Sequence, residues 1–142
     1  MIAVDTNVLV RIIANDDAAQ SELAAATLSA ADEVFIPKTV LLELEWVLRS
    51  TYRLSTDAIR SAIRQIRSLA NVVIEEDTVS GRALTWYQAG MDFADSLHLA
   101  SAGKERQFAT FDAALQRKAS QLGLRNVIHP RQGRRGSKPL RK

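Results

Sequence analysis

The sequence predicts a three-layer α/β domain, in which helices cover both faces of a central, mostly parallel sheet. Apolar runs of three or four residues alternate with longer helical patterns, as in proteins whose strands are joined by crossover helices. The 142 residues suffice for one domain, and 46% hydrophobic against 25% charged residues is typical of a globular protein.

Five short apolar runs are predicted to form the strands. The run Ile2–Val4 leads directly into Asp5, and Val34–Ile36 is stopped by Pro37. The predicted strands cover residues 2–4, 34–36, 72–74, 107–110 and 126–128. Right-handed crossovers bring the carboxyl ends of parallel strands to one edge of a sheet, so residues that follow the strands are expected to share that edge.

Helices are predicted between the strands from their apolar spacing and end residues. Residues 39–52 form a strong helical pattern, and Ser55 or Thr56 caps the next helix. The apolar stripe of that helix consists of Ile59, Ile63 and Ile66. The other predicted helices are 7–14, one from Asp16 or Asp17 to about residue 30, 78–89, 93–102 and 113–121.

The composition excludes several classes of function. Without cysteine, the chain has no disulfide, no zinc–thiolate site and no cysteine nucleophile, and His98 and His129 are too few for a histidine-rich metal site. No apolar run approaches the ~20 residues of a membrane span. The first residues contain Asp5 and no basic segment, unlike a secretory signal. We therefore expect a cytoplasmic protein without membrane association.

The net charge of +3 is unevenly distributed. Residues 129–142 contain six basic residues and no acid; the rest has 13 basic against 16 acidic residues, a charge of −3. Glycine and proline are frequent in these residues, so we predict a domain over residues 1–128 followed by a flexible tail. The tail could attract a polyanion such as RNA, or it could be a solubilising segment or a remnant of recombinant expression.

Acidic residues stand where the predicted strands end. Asp5 follows the first strand directly, and Asp112 follows the fourth after one residue. Either could simply cap the next helix. Asp92 and Asp95 lie one helical turn apart, with no lysine or arginine between residues 85 and 103, and Asp92 is the better candidate for a cap.

Helix 39–52 contributes a further acid. Glu43 is predicted at the border of the apolar stripe, without a basic residue one turn away, whereas Glu45 and Arg49 are predicted to pair on the opposite face. Four acids from separate segments are thus expected at one edge of the sheet, with Asp92 as a possible fifth: Asp5, Glu43, Asp95 and Asp112. Such a cluster favours a shared divalent cation, and oxygen ligands suit Mg²⁺ or Mn²⁺ and phosphodiester hydrolysis.

The segments around these acids resemble PIN-domain ribonucleases, and VapC-type toxins in particular. The matching segments are Ile2–Arg11, Val40–Leu48, Asp92–Ala100 and Thr110–Asp112, in the family's order and spacing. The resemblance extends over nearly all of residues 1–128.

This resemblance implies a five-stranded parallel sheet flanked by helices and a Mg²⁺- or Mn²⁺-dependent endoribonuclease. It also implies a protein antitoxin and a homodimer. Asp5 and Asp95 would be the main metal ligands, completed by Glu43 and Asp112, while Asp92 recurs in a subset of such proteins. Thr6 and Asn7 would orient the first aspartate or the scissile phosphate.

Other classes of protein require residues that this sequence lacks. An aspartyl-nucleophile phosphatase needs a second aspartate at the position of Asn7, a receiver domain needs an acidic pair after the first strand, and a dinucleotide fold needs early glycines that are absent before Gly81. A catalytically idle PIN-like binding module and a structure-specific DNA nuclease stay open. The arginines of the helix that begins at Ser55 or Thr56 could contact phosphates or form a solvated face; they are Arg60, Arg64 and Arg67.

Overall fold

The computed structural model describes residues 1–130, so the basic tail from Arg131 onward lies outside the described residues. The chain divides into two compact units, Met1–Ser101 and Ala102–Lys142. The domain predicted over residues 1–128 and the tail after it therefore stay predictions.

All the predicted strands and helices are present in residues 1–130, with ends that differ from the predictions by no more than two residues. The strands are β1 (Ile2–Ala3), β2 (Val34–Ile36), β3 (Val72–Ile74), β4 (Phe108–Ala109) and β5 (Val127–Ile128). The helices are α1 (Thr6–Ala14), α2 (Ala18–Ala30), α3 (Lys38–Ser50), α4 (Thr56–Arg67), α5 (Asp77–Gln88), α6 (Phe93–Ala102) and α7 (Ala113–Gln121). The predicted α/β class with parallel strands is confirmed.

The first unit is built on a parallel sheet in the order β1-β2-β3. In the central strand β2, Val34 and Ile36 are fully buried, as expected for a strand covered on both faces. The backbone N–H of Val4 donates to the carbonyl of Phe35 at 3.3 Å, which extends the β1–β2 contact up to the start of α1. Both α1 and α3 therefore leave the sheet at the same edge, where β1 and β2 end.

The second unit contains the parallel pair β4–β5, in which Phe108 is in register with Val127. Leu115 and Ala119 of α7 are buried in this unit. Within residues 1–130 the five strands thus form a three-stranded and a two-stranded ladder, so the single five-stranded sheet that the resemblance implied is not found. The strands β1, β4 and β5 have two residues each, which leaves few backbone groups for further pairing.

The core of the first unit depends on one face of α4. Ile59 and Ile63 are fully buried and Ile66 nearly so, which confirms the predicted stripe. The hydroxyl of Ser55 accepts from the backbone N–H of Ala58 at 3.1 Å and thereby caps this helix.

No helix within residues 1–130 has the length and apolar character needed to cross a bilayer.

We predict that Ile63→Ala lowers the free energy of unfolding by about 2–5 kcal/mol, because it leaves a cavity at a fully buried position. The control is Ser61→Ala on the exposed side of the same helix, which is expected to change it by less than about 0.5 kcal/mol. Urea unfolding followed by circular dichroism measures both. Equal effects of the two changes would contradict the assignment of this face to the core.

Candidate acidic site

Asp5 stands where β1 passes into α1 and is the N-cap of that helix. Its Oδ1 accepts from the backbone N–H of Val8 at 3.2 Å, and the side chain is exposed. Of its two neighbours in the predicted site, Thr6 is buried and Asn7 is exposed. The cap engages one carboxylate oxygen, and Oδ2 can still act as a ligand.

Asp92 and Asp95 lie at the start of α6. Oδ2 of Asp92 accepts from the backbone N–H of Asp95 at 3.1 Å, so the predicted cap is confirmed. Asp92 is exposed and Asp95 is half-buried. Because the cap holds the first turn of α6, the position of the Asp95 backbone is fixed relative to the Asp92 carboxylate.

Glu43 lies in the second turn of α3 and is exposed. The preceding residue, Leu42, packs against a small apolar cluster that includes Leu97 and Ala100 of α6. At the other end, the ammonium group of Lys38 lies 3.3 Å from the hydroxyl of Ser101. These contacts place α3 beside α6 in the stretch that carries Glu43 and Asp95.

Asp112 belongs to the second unit and is the N-cap of α7. Its Oδ1 accepts from the backbone N–H of Leu115 at 3.1 Å, and its own N–H donates to the hydroxyl of Thr110 at 3.0 Å. The side chain is exposed. The ring of Phe111 is 77% exposed and meets His129 edge-on, with centroids 5.6 Å apart.

The prediction that Glu45 faces away from the apolar stripe is wrong. Its side chain is 3% exposed, and the buried face of α3 runs through Leu41, Leu44 and Leu48 with Glu45 among them. The predicted pair is present, because Nε of Arg49 donates to both carboxylate oxygens at 3.2 and 3.0 Å. The hydroxyl of Tyr87 lies 3.4 Å from Oε2. These partners from α3 and α5 allow a carboxylate to be buried on the apolar side.

The buried carboxylate changes the proton affinity of its neighbours. The pKa of the Tyr87 phenol is raised, first by burial and then by the negative charge of Glu45. The hydrogen bond from Arg49 to Glu45 raises the pKa of the Arg49 guanidinium. Both groups therefore keep their protons at neutral pH, and the network is a fixed arrangement of donors around one acceptor.

A cavity of about 610 Å³ opens beside this network and is named here the Glu45 cavity. Asp92 lines it together with Arg49 and Tyr87. Its other lining residues are Glu45, Ser55, Thr56, Asp57, Gln88, Gly90 and Met91. No pattern in the sequence predicts this cavity, and the i,i+4 pair of Glu45 and Arg49 is its one visible signal.

The histidine and the tryptophan that lie near the predicted acids in the sequence are both exposed. They are His98 and Trp46. Tyr87 is part of the core, where its ring contacts Phe93 with centroids 5.1 Å apart. The guanidinium group of Arg11 forms a salt bridge with Asp16 at 2.7 Å.

The donor set suits a hard divalent cation, since the predicted ligands supply carboxylate oxygens alone. Within residues 1–130, no three acidic or histidine side chains are grouped so as to hold a metal ion. Carboxylates that converge on one point repel each other, and a shared cation removes that repulsion. The metal ligands stay predictions.

Comparison with known proteins identifies the family. The model of the PIN domain family matches residues 2–121, so the chain belongs to the PIN domain family. A solved structure of VapC20 from Mycobacterium tuberculosis, a sarcin–ricin loop cleaving toxin, is similar at 21% identity with a TM-score of 0.42. That similarity covers 89% of this chain and 98% of VapC20. No protein in the curated collection matches the chain.

We predict that Arg49→Met lowers the free energy of unfolding by about 1–3 kcal/mol, because it leaves the buried Glu45 carboxylate without its main donor. The matched control is the double variant Glu45→Gln with Arg49→Met, in which no buried charge is left. Urea unfolding at neutral pH is expected to recover part of the loss in the double variant. A double variant less stable than Arg49→Met would contradict the assigned burial of a charged Glu45.

Proposed function

We propose that this PIN domain is a Mg²⁺- or Mn²⁺-dependent endoribonuclease that acts as the toxin of a toxin–antitoxin pair. The observation that carries the proposal is the family match over residues 2–121, which includes all four predicted acids. The toxin class rests on the resemblance of the four acidic segments to VapC-type toxins. In this proposal the partners are RNA, a protein antitoxin and a second copy of the chain in a homodimer.

The placement of the acids in the first unit supports a common site. Asp5 lies at the carboxyl edge of the parallel sheet, and Glu43 and Asp95 lie on helices joined by the Leu42 contact. These acids are the proposed metal ligands, with Asp92 as a further candidate beside Asp95. Asp112 is added from its sequence motif alone.

The proposed chemistry is attack of water on a phosphodiester. A bound Mg²⁺ or Mn²⁺ supplies Lewis-acid activation and offsets the negative charge that develops on the phosphoryl oxygens. Asp95 or Glu43 orients the attacking water and accepts its proton. Thr6 and Asn7 orient Asp5 or the scissile phosphate. In-line attack by water leaves a 5′-phosphate and a 3′-hydroxyl, whereas use of the RNA 2′-hydroxyl would leave a cyclic phosphate.

Two alternative functions predict different behaviour towards nucleic acids. A catalytically idle PIN-like module would bind RNA without cutting it, and intact acids at all four positions argue against this reading. A structure-specific DNA nuclease on the same fold would cut branched duplex DNA in preference to RNA.

We predict that the chain cleaves end-labelled cellular RNA with Mg²⁺ or Mn²⁺ and not with EDTA. Asp5→Asn and Asp95→Asn are expected to slow cleavage by about 10²-fold or more, because an amide is a weaker ligand and cannot accept the proton. The matched control, Asp32→Asn, changes an exposed aspartate in the turn before β2. Product ends are mapped by their ligation to adapters that require a 5′-phosphate.

Chelator-resistant cleavage, or full activity of both acid variants, would exclude the metal mechanism. Binding of RNA without cleavage under any metal would favour the idle module. Preferential cleavage of branched DNA would favour the DNA nuclease. A cyclic phosphate on the products would contradict attack by water.

We predict that expression of the chain arrests bacterial growth and that the product of the neighbouring gene relieves the arrest. Asp95→Asn is expected to abolish toxicity at equal protein levels, because the proposed toxicity requires RNA cleavage. Growth curves with immunoblots of the expressed chain provide the measurement. Normal growth with active enzyme present would mean a nuclease with a housekeeping role.

A further inference from the structure

Three arginines of α4 surround a small cavity between α4 and α5, named here the arginine pocket. Its volume is about 110 Å³, and its lining residues are Arg60, Arg64, Arg67, Gly81, Leu84, Thr85 and Gln88. This volume is below the ~300 Å³ at which pockets for small organic ligands begin. It suits a compact group such as a phosphate.

The charges of the arginine pocket are only partly neutralised. Arg67 is held by Asp77, to which its Nε and Nη2 donate at 2.7 and 2.9 Å. Within residues 1–130, Arg60 and Arg64 form no ion pair. The Nε of Arg60 is also buried and has no acceptor, which is costly for a charged donor. An anion in the pocket would supply that missing acceptor.

Gly81 of α5 belongs to the wall of the pocket against which Arg67 lies. A Cβ at this position would lie 2.6 Å from Nη2 of Arg67, so a larger residue here would make the end of the Arg67 side chain shift. The Arg67–Asp77 pair and Gly81 together fix one wall of the pocket. This wall is therefore in place before a ligand binds. Arg60 and Arg64, which form no ion pair, complete the pocket.

The arginine pocket adjoins the Glu45 cavity. Gln88 lines both cavities, and Asp92 is a lining residue of the Glu45 cavity. Asp92 in turn holds the backbone N–H of Asp95, a proposed metal ligand. Asp92, which caps the helix of Asp95, and the three arginines therefore line two cavities that share Gln88.

We propose that the arginine pocket binds a backbone phosphate of the RNA substrate other than the phosphate of the bond that is cut. The inference rests on the proposed function and extends it by a subsite for the polyanion. Arg60 and Arg64 are the binding residues, while Arg67 is a wall held by Asp77. Recognition of a phosphate carries no base specificity, so this subsite positions the RNA without selecting its sequence.

The test is the binding of labelled single-stranded RNA to the full chain, measured by fluorescence anisotropy across a salt series with EDTA present. In the double variant Arg60→Gln, Arg64→Gln we expect weaker binding. Its plot of log affinity against log salt is expected to flatten by about 0.7 for each lost phosphate contact. The matched control, Arg117→Gln with Arg125→Gln, removes the same charge from exposed positions of the second unit and is expected to keep the wild-type slope.

Two further variants separate geometry from charge and guard against a folding defect. Arg60→Lys with Arg64→Lys keeps the charge, removes the planar guanidinium groups and is expected to give intermediate affinity. Gly81→Ala keeps every charge and displaces the Arg67 guanidinium, so affinity is again expected to fall. Inorganic phosphate at matched ionic strength should compete with RNA on the wild type and not on the glutamine double variant.

Equal losses in the arginine variant and its control would overturn the proposal, because net charge alone would then explain them. Unchanged affinity in the glutamine variant would also overturn it. If RNA is cut normally while the arginine variants bind normally, the subsite fails and the proposed function stands. If no RNA is cut but the arginine variants lose binding, the proposed function fails and the phosphate site stands.

Discussion

The parallel pairing of β1 with β2 is the constraint on which the proposed site depends. Because both strands run in the same direction, α1 and α3 start at the same edge of the sheet, and Asp5 stands at that edge with α3 beside it. The pairing is sustained by the buried side chains of Val34 and Ile36 and not by strand length, since β1 has two residues. The apolar centre of the sheet thus sets the position of acids that lie on the surface.

Helix ends and strand positions could be predicted from the sequence because their signals are local. The caps at Asp5, Asp92 and Asp112 follow from an aspartate next to a helical pattern, and each is present. The apolar stripe of α4 likewise follows from spacing alone. How strands group into ladders depends on distant segments, and the three-plus-two arrangement was beyond local patterns.

The burial of Glu45 shows where sequence reasoning fails for physical reasons. On a helical wheel a glutamate belongs to solvent, and Glu43 looked closer to the core. In the structure Glu45 is buried and Glu43 is exposed. Tyr87 of α5 lies with Arg49 around the Glu45 carboxylate and makes this burial possible. A partner such as Tyr87, which lies far away in the sequence, cannot be predicted from the residues one helical turn before or after Glu45. The same holds for the arginine pocket, whose floor is formed by α5 while its charges belong to α4.

The capping bond of Asp5 has a practical consequence for studying this protein. Asparagine caps helices about as well as aspartate, so Asp5→Asn preserves the bond to Val8 and the start of α1. Helix stability and carboxylate chemistry are therefore separable at this one position. Under the proposed mechanism, a protein with that single change would serve as a substrate trap, from which the bound nucleic acid could be recovered intact and sequenced.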